Sequence, residues 1–210
     1  LGFLHSGIRF AAAGLSSRWR KCVWLVAAVL LYALALLTKE SAAVAPALLF
    51  LVLVWRERGP GAFRQKWKGA FWKTAAVGVA SLPVLAGYFA ARSWVLGGVF
   101  HSPNTGIFIV ENPLAPLPPV ARALNACLVL LRYLGRIVFP LHLSADESAW
   151  SIPMAGSGSL AAIAAAALLA AILAVALLRI PSHSAIAFGV LFFAIAFLST
   201  SNVFVPFGTI

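Results

Sequence analysis

Four of the five acidic residues lie between apolar tracts whose far ends carry clusters of arginine and lysine. These four are Glu40, Glu111, Asp146 and Glu147. Carboxylates gathered on one face of a membrane protein can exchange protons there, which is the chemistry of a general acid or base. The same segments and their borders contain cations that can bind an anionic group. These cations are Lys39, Arg92, Arg122, Arg132 and Arg136.

The composition is that of an integral membrane protein. Of the 210 residues, 62% are hydrophobic and 10% are charged, whereas a soluble domain has about 45–50% apolar and about 25% charged residues. Mean hydropathy is +0.98. The formal net charge of +11 does not indicate nucleic-acid binding, because the basic residues only punctuate apolar runs and form no patch on a soluble fold. Membrane lipids are therefore expected partners, and nucleic acid is not.

The apolar tracts predict an all-α, polytopic membrane protein with a single domain over residues 1–210. We expect membrane spans at 1–15, 22–37, 41–55, 74–91, 160–178 and 185–198. Residues 56–73 are expected to form a basic loop, and 97–119 a loop rich in proline, glycine and asparagine. Because Leu1 lies inside an apolar stretch, we expect the chain to be an internal piece of a longer protein.

The distribution of basic residues predicts the orientation. Clusters at 18–21, 56–73 and 179 mark the cytoplasmic side by the positive-inside rule. The Lys39-Glu40 turn and the segments after 92, 139 and 198 then face outward. We therefore expect a multi-pass protein of the bacterial inner membrane whose active side faces the periplasm or the exterior.

Residues 120–139 form a helix of a different kind. At about 100° per residue, its arginines share one stripe with Asn125 and Val129. The arginines are Arg122, Arg132 and Arg136. Three arginines on one stripe disfavour a lipid-embedded span. The pattern predicts an interfacial or re-entrant helix on the outer side, with its basic stripe toward a cavity.

Four short motifs, in order along the chain, resemble one family of membrane proteins. In that family an O-mannosyltransferase-like transmembrane region precedes tetratricopeptide repeats. The first motif, L-L-T-K-E-S at 36–41 with Pro46, is similar to its L-x-K-E…P turn, and E-N-P-L-A at 111–115 resembles its D-N-P-A loop. F-P-L-H-L-S-A-D-E-S at 139–148 resembles P-x-x-L-x-x-D-x-S, and S-N-V-F-V-P-F-G at 201–208 resembles S-N-x-x-x-P-x-G.

The resemblance implies a fold of the GT-C superfamily of glycosyltransferases. It implies transfer of a sugar, mannose in that family, from a polyprenyl-phosphate carrier to an acceptor hydroxyl on the outer face, such as a protein Ser or Thr. This sequence departs from the family pattern where Glu111 replaces Asp, Leu114 replaces Ala and Glu147 replaces an aromatic residue. The principal acidic loop of the family is expected upstream of Leu1, and the repeats downstream of Ile210.

Such a transfer needs a carboxylate to take the proton of the acceptor hydroxyl and cations to hold the departing lipid phosphate. Within this sequence the candidate bases are Asp146 and Glu111. The candidates for binding substrate or lipid phosphate are Lys39, Glu40, Arg92, Arg122, Arg132 and Arg136. Arginine suits phosphate because its planar fork can bind two of the oxygens.

Each candidate also has a structural explanation. Lys39 can snorkel to the surface, and Arg92 can anchor a helix end. The arginines of 120–139 can attract lipid headgroups. Glu111 can set the turn at Asn112, and Asp146 can cap another.

No cofactor is predicted. His101 and His142 would have to join Glu111 or Asp146 around a divalent metal, and no ligand spacing connects them. Cys22 and Cys127 likewise show no disulfide or metal pattern.

Two other functions are compatible with the sequence. A ligase or polymerase of lipid-linked glycans uses the same class of donor with a glycan acceptor. A non-catalytic anchor, or a transporter of lipid-linked sugars, is the other. A transporter is expected to carry ionisable residues within its spans, and the spans here have almost none.

Overall fold

The computed structural model describes residues 1–13, 18–56, 63–97, 112–140, 154–156, 158–182 and 184–203. These residues form helices and turns, with no strand among them, so the expectation of an all-helical chain is confirmed for the described part. The helices are α1 (Gly2–Ala12), α2 (Arg18–Thr38), α3 (Ala45–Arg56), α4 (Phe63–Leu96), α5 (Pro119–Val138), α6 (Leu160–Arg179) and α7 (Ala185–Leu198). A 3₁₀ turn, Glu40–Val44, precedes α3, and another, Ile180–Ser182, follows α6.

Three stretches in the described part are long and apolar enough to cross a membrane. They are Arg18–Thr38, Trp67–Val95 and Leu160–Ser182. The other expected spans form shorter helices: α1 has 11 residues, α3 has 12 and α7 has 14. At 1.5 Å per residue these reach about 16–21 Å, against a hydrocarbon core of about 30 Å. The 3₁₀ turn before α3, at about 2 Å per residue, lengthens that segment to about 28 Å.

Two helices extend into segments where the sequence predicted none. α2 begins at Arg18, not at 22, and α4 begins at Phe63 and ends at Leu96, beyond the expected 74–91 on both sides. Residues 63–73, expected as part of a basic loop, are therefore helical. Charged residues end an apolar run without ending a helix, because Lys, Arg and Gln are good helix formers.

Pro46 explains why α3 is preceded by a 3₁₀ turn. Proline has no N–H, so it cannot donate the i to i−4 hydrogen bond that the carbonyl of Ala42 would otherwise accept. That carbonyl instead accepts the N–H of Ala45, three residues on. The tighter 3₁₀ spacing follows from this shorter bond, and it carries the chain out of the Lys39-Glu40 turn.

The chain divides into two compact units, Leu1–Trp94 with Ala176–Ser199, and Val95–Val175 with Thr200–Ile210. In the first unit, α1 runs antiparallel to α2. The Phe3 and Tyr32 rings lie 5.2 Å apart at one end, and the Arg9 guanidinium lies 5.9 Å from the Trp24 ring at the other. Gly7 permits close approach to α3, since a Cβ there would lie 2.6 Å from Cδ2 of buried Leu49.

α3 runs antiparallel to α4 and to α7. Near its C-terminal half, the rings of Phe50 and Trp67 are 5.1 Å apart, and those of Trp55 and Phe188 are 4.9 Å apart. At the other end, Glu40 contacts Arg92 of α4. The beginning of α4 and of α7 therefore lies beside the end of α3.

This arrangement separates the charges of the first unit. One end, which we call the basic end, carries Arg18, Arg20, Lys21, Arg56, Lys68, Lys73 and Arg179. The opposite end, the polar end, carries Lys39, Glu40 and Arg92. Between the two ends, residues 74–91 of α4 carry no charge and cover about 27 Å at 1.5 Å per residue, close to the thickness of a bilayer core.

Candidate functional site

The Lys39-Glu40 turn is built from the end of α2. The Thr38 hydroxyl donates to the Leu34 carbonyl at 2.9 Å, and the Lys39 N–H donates to the Ala35 carbonyl at 2.9 Å. Lys39 then adopts an extended backbone, with φ −159° and ψ 131°, which reverses the chain. The Lys39 side chain is exposed, so its ammonium is available to an anionic ligand at the polar end.

Glu40 and Arg92 form an ion pair across the polar end. Nη1 of Arg92 lies 3.4 Å from Oε2 of Glu40, and the two side chains are 22% and 39% exposed, respectively. A partly exposed pair of this kind contributes at most about 1 kcal/mol to stability. Its importance is positional, because it holds the guanidinium of Arg92 against Glu40, the residue that follows Lys39 and lies 52 positions earlier in the chain.

A groove of about 440 Å³ opens beside Lys39. Its polar lining comes from Thr38, Lys39 and Ser41, and its apolar wall comes from α2, the 3₁₀ turn, α3 and Ala196 of α7. The ammonium of Lys39 and the hydroxyl of Ser41 can donate to a phosphate. The hydroxyl oxygen of Thr38, whose proton goes to the Leu34 carbonyl, can still accept from a sugar hydroxyl.

A second, apolar groove of about 490 Å³ lies in the same unit along α3 and α4. Its lining runs along α4 from Phe71 to Leu85 and, on the other wall, from Phe50 to Ala43, three residues from Glu40. The hydroxyl of Tyr32 donates to the Ala43 carbonyl at 3.4 Å. Phe71, Val79 and Leu82 are 54%, 65% and 55% exposed, so the groove is open along its flank. It suits an apolar chain, and it leads toward the polar end.

The second unit contains α5 with its three arginines. α5 is not among the stretches apolar enough to cross a membrane. On the arginine stripe, Asn125 and Val129 are buried, while Arg132 is exposed. Arg122 and Arg136 are half-buried. The stripe therefore changes from buried at its centre to exposed at Arg132. Burial also raises the pKa of the Cys127 thiol, which leaves less of the reactive thiolate.

Asn125 fastens α5 to the segment before α6. Its Nδ2 donates to the carbonyls of Ala121 at 2.8 Å and Ala155 at 2.9 Å. The Ala155 N–H donates to Oδ1 of Asn125 at 2.8 Å. This two-way pairing with Ala155 satisfies a buried amide and explains why an asparagine lies among apolar residues.

Asn112 and Asn202 form a buried amide pair in the second unit. Nδ2 of Asn112 donates to Oδ1 of Asn202 at 2.8 Å, and the Leu114 N–H donates to Oδ1 of Asn112 at 2.9 Å. Asn112 is 0% and Asn202 4% exposed. Asn202 has φ 58°, a conformation that asparagine tolerates better than most residues. The pair joins two of the family-like motifs, 111–115 and 201–208.

The predicted site residues fall into three groups. Lys39, Glu40 and Arg92 come together at the polar end of the first unit. Arg122, Arg132 and Arg136 lie on one helix of the second unit. The predicted bases Glu111 and Asp146, with His101 and His142, lie outside the described residues. Within the described part, no group of three His, Cys, Asp or Glu side chains is arranged to hold a metal ion.

The structural roles of Asn112, Asn125 and Asn202 are not evident from the sequence. The available signal is an amide residue in a strongly apolar chain, since a buried amide requires hydrogen-bond partners. No family model, curated protein or solved structure matches this chain.

Proposed function

We propose that this chain is part of a GT-C-type membrane glycosyltransferase. It transfers a sugar, mannose by the family resemblance, from a polyprenyl-phosphate donor to an acceptor hydroxyl on the outer face of the bacterial inner membrane. The acceptor is a Ser or Thr of a protein. The observation that carries the proposal is the meeting of Lys39, Glu40 and Arg92 at one end of the first unit, opposite its basic end.

The two grooves fit the two parts of such a donor. The apolar groove of about 490 Å³ accepts part of the polyprenyl chain, and its open flank admits the chain from the lipid. The groove beside Lys39 accepts the phosphate or the sugar. Both sizes lie within the range of about 300–1,000 Å³ that is usual for ligand sites.

The transfer is a displacement at the anomeric carbon of the sugar. The acceptor oxygen forms a bond to that carbon, and the bond from the carbon to the phosphate oxygen breaks with its electron pair. Lys39 and Arg92 stabilise the negative charge that develops on the leaving phosphate. Glu40 orients Arg92 through the ion pair. The proton of the acceptor hydroxyl passes to a carboxylate, for which the sequence offers Glu111 and Asp146 as candidates.

The lack of ionisable residues within two of the long helices argues against transport of a lipid-linked sugar. No ionisable carboxylate, lysine, arginine or histidine occurs at 22–38 of α2 or at 74–91 of α4. A transport pathway is expected to place such groups at mid-membrane. The charges of the first unit instead lie at its two ends, as a site at the membrane surface requires.

The function is tested with the full-length protein, purified and supplied with radiolabelled polyprenyl-phosphate mannose. A Ser/Thr-rich peptide and an oligosaccharide are offered as acceptors in separate reactions. We expect label to enter the peptide. Label in the oligosaccharide alone would identify a glycan ligase or polymerase, and label in neither would indicate an anchor without transferase activity.

The orientation is tested on one helix. In a Cys22→Ser/Cys127→Ser background, single cysteines replace Lys68 near the start of α4 or Trp94 near its end, both of which are exposed. A membrane-impermeant maleimide added to spheroplasts should label the cysteine at 94 and should reach the cysteine at 68 only after permeabilisation. The reverse pattern would place Lys39 and Arg92 in the cytoplasm, where the outward-facing reaction cannot occur.

A further inference from the structure

The N-terminal part of α4 is longer than a membrane crossing needs. α4 has 34 residues, about 51 Å at 1.5 Å per residue, against a hydrocarbon core of about 30 Å. The uncharged residues 74–91 match that core, with Lys73 and Arg92 at their borders. A helix that crosses in this way leaves residues 63–73 outside the hydrocarbon, at the basic end.

Residues 63–73 are rich in positive charge. Their charged residues are Arg64, Lys66, Lys68 and Lys73, and the sequence has no Asp or Glu between Glu57 and Glu111. The Lys68 side chain is exposed. At 100° per residue, position 68 lies within about 60° of positions 71 and 72, and positions 66 and 73 lie on the opposite face, so positive charge surrounds the helix. The segment therefore complements a negatively charged surface.

Two exposed aromatic residues mark the border between this basic segment and the apolar part of α4. Phe71 is 54% and Trp72 70% exposed, and their rings pack edge to face with centroids 5.5 Å apart. Tryptophan concentrates at membrane interfaces, where its ring lies at the level of the headgroups. Lys68, one turn before Trp72, is then at the depth of the lipid phosphates.

We propose that residues 63–73 of α4 form a binding surface for anionic phospholipid headgroups. The positive charge of this segment attracts the negative headgroups, and Trp72 and Phe71 anchor the helix in the interface. Each Lys or Arg near an anionic membrane surface strengthens binding about fivefold. This surface lies at the basic end and does not depend on sugar transfer at Lys39 and Arg92.

Native mass spectrometry tests the proposal by counting the lipids that stay bound to the protein. The protein is released from detergent that contains equal amounts of phosphatidylglycerol and phosphatidylcholine. The wild type should retain phosphatidylglycerol in preference. In Lys66→Gln/Lys68→Gln/Lys73→Gln the preference should fall at least about fivefold. The matched variant Lys66→Arg/Lys68→Arg/Lys73→Arg keeps the charge and should keep the preference. Full preference in the glutamine variant would overturn the proposal.

A second measurement uses the wild type alone and covers the case in which the glutamine variant does not fold. Phosphatidylglycerol should raise the melting temperature of the solubilised protein more than phosphatidylcholine does. The difference should shrink in about 1 M salt, where the Debye length is about 3 Å. An equal effect of the two lipids, or a difference that salt leaves unchanged, would contradict binding through the basic residues.

Discussion

Replacing Arg92 or Lys39 with alanine is expected to lower sugar transfer by about 100-fold, the loss usual for one group that stabilises charge in a transition state. Both residues lie at the polar end, and in the proposed mechanism both stabilise the leaving phosphate. The measurement is the single-turnover rate with the full-length protein and saturating radiolabelled donor. Because the charge develops during the reaction, the rate should fall more than donor binding does.

Two variants separate this role from a general effect of charge. Arg20→Ala removes an exposed arginine at the basic end and should leave the rate unchanged. Glu40→Gln keeps an oxygen beside Arg92 and should lower the rate less than Arg92→Ala. The same assay on Arg132→Ala and Arg136→Ala tests the cations of α5. Wild-type turnover in both Lys39→Ala and Arg92→Ala would remove these two cations from the mechanism.

Replacing Asn112 with alanine is expected to lower the free energy of unfolding by about 2–3 kcal/mol, because it deletes hydrogen bonds of buried groups. The Leu114 N–H and Oδ1 of Asn202 would lose the amide that they now contact at 2.9 and 2.8 Å. Unfolding of the detergent-solubilised protein, followed by circular dichroism in a denaturant titration, gives the change. A loss below about 0.5 kcal/mol, the scale of an ordinary surface substitution, would contradict the buried pair.

Asn202 offers a matched comparison. Glycine at 202 removes the amide and keeps the backbone at φ 58° without strain, whereas alanine at 202 adds a left-handed strain of about 1–2 kcal/mol. Asn202→Ala should therefore be less stable than Asn202→Gly by about that amount. The effects of Asn112→Ala and Asn202→Gly should not add, because the two residues share one hydrogen bond. Additive losses would show that the pair is not coupled.

The helices could be predicted from the sequence, and their ends could not. Apolar runs located α2, α4, α6 and α7 because a helix in lipid must be apolar for most of its length, whereas α5 was located by its amphipathic pattern. The requirement for an apolar run misplaced the beginning of α4, since residues 63–73 include four charged residues and are still helical. The 3₁₀ turn before α3 was also missed, although Pro46 is visible in the sequence, because a proline in the first turn of an α-helix is normally tolerated.

The candidate site was only partly predictable. Lys39, Glu40 and Arg92 were selected for their charge between apolar tracts, but the contact between Glu40 and Arg92 depends on how α4 packs, which a local pattern does not encode. The two grooves arise from the shapes left between helices and have no signature in the sequence. The pairing of Asn112 with Asn202 joins residues 90 positions apart and likewise depends on the tertiary fold.

The open flank of the apolar groove determines how a ligand reaches it. A hydrocarbon chain that enters between Phe71, Val79 and Leu82 arrives by lateral diffusion within the bilayer and never passes through water. Occupancy of the groove then depends on the mole fraction of the ligand lipid in the membrane and not on its concentration in bulk solution. Ordinary phospholipid tails compete for the same space, so the composition of the surrounding bilayer sets how strongly binding of the ligand is inhibited.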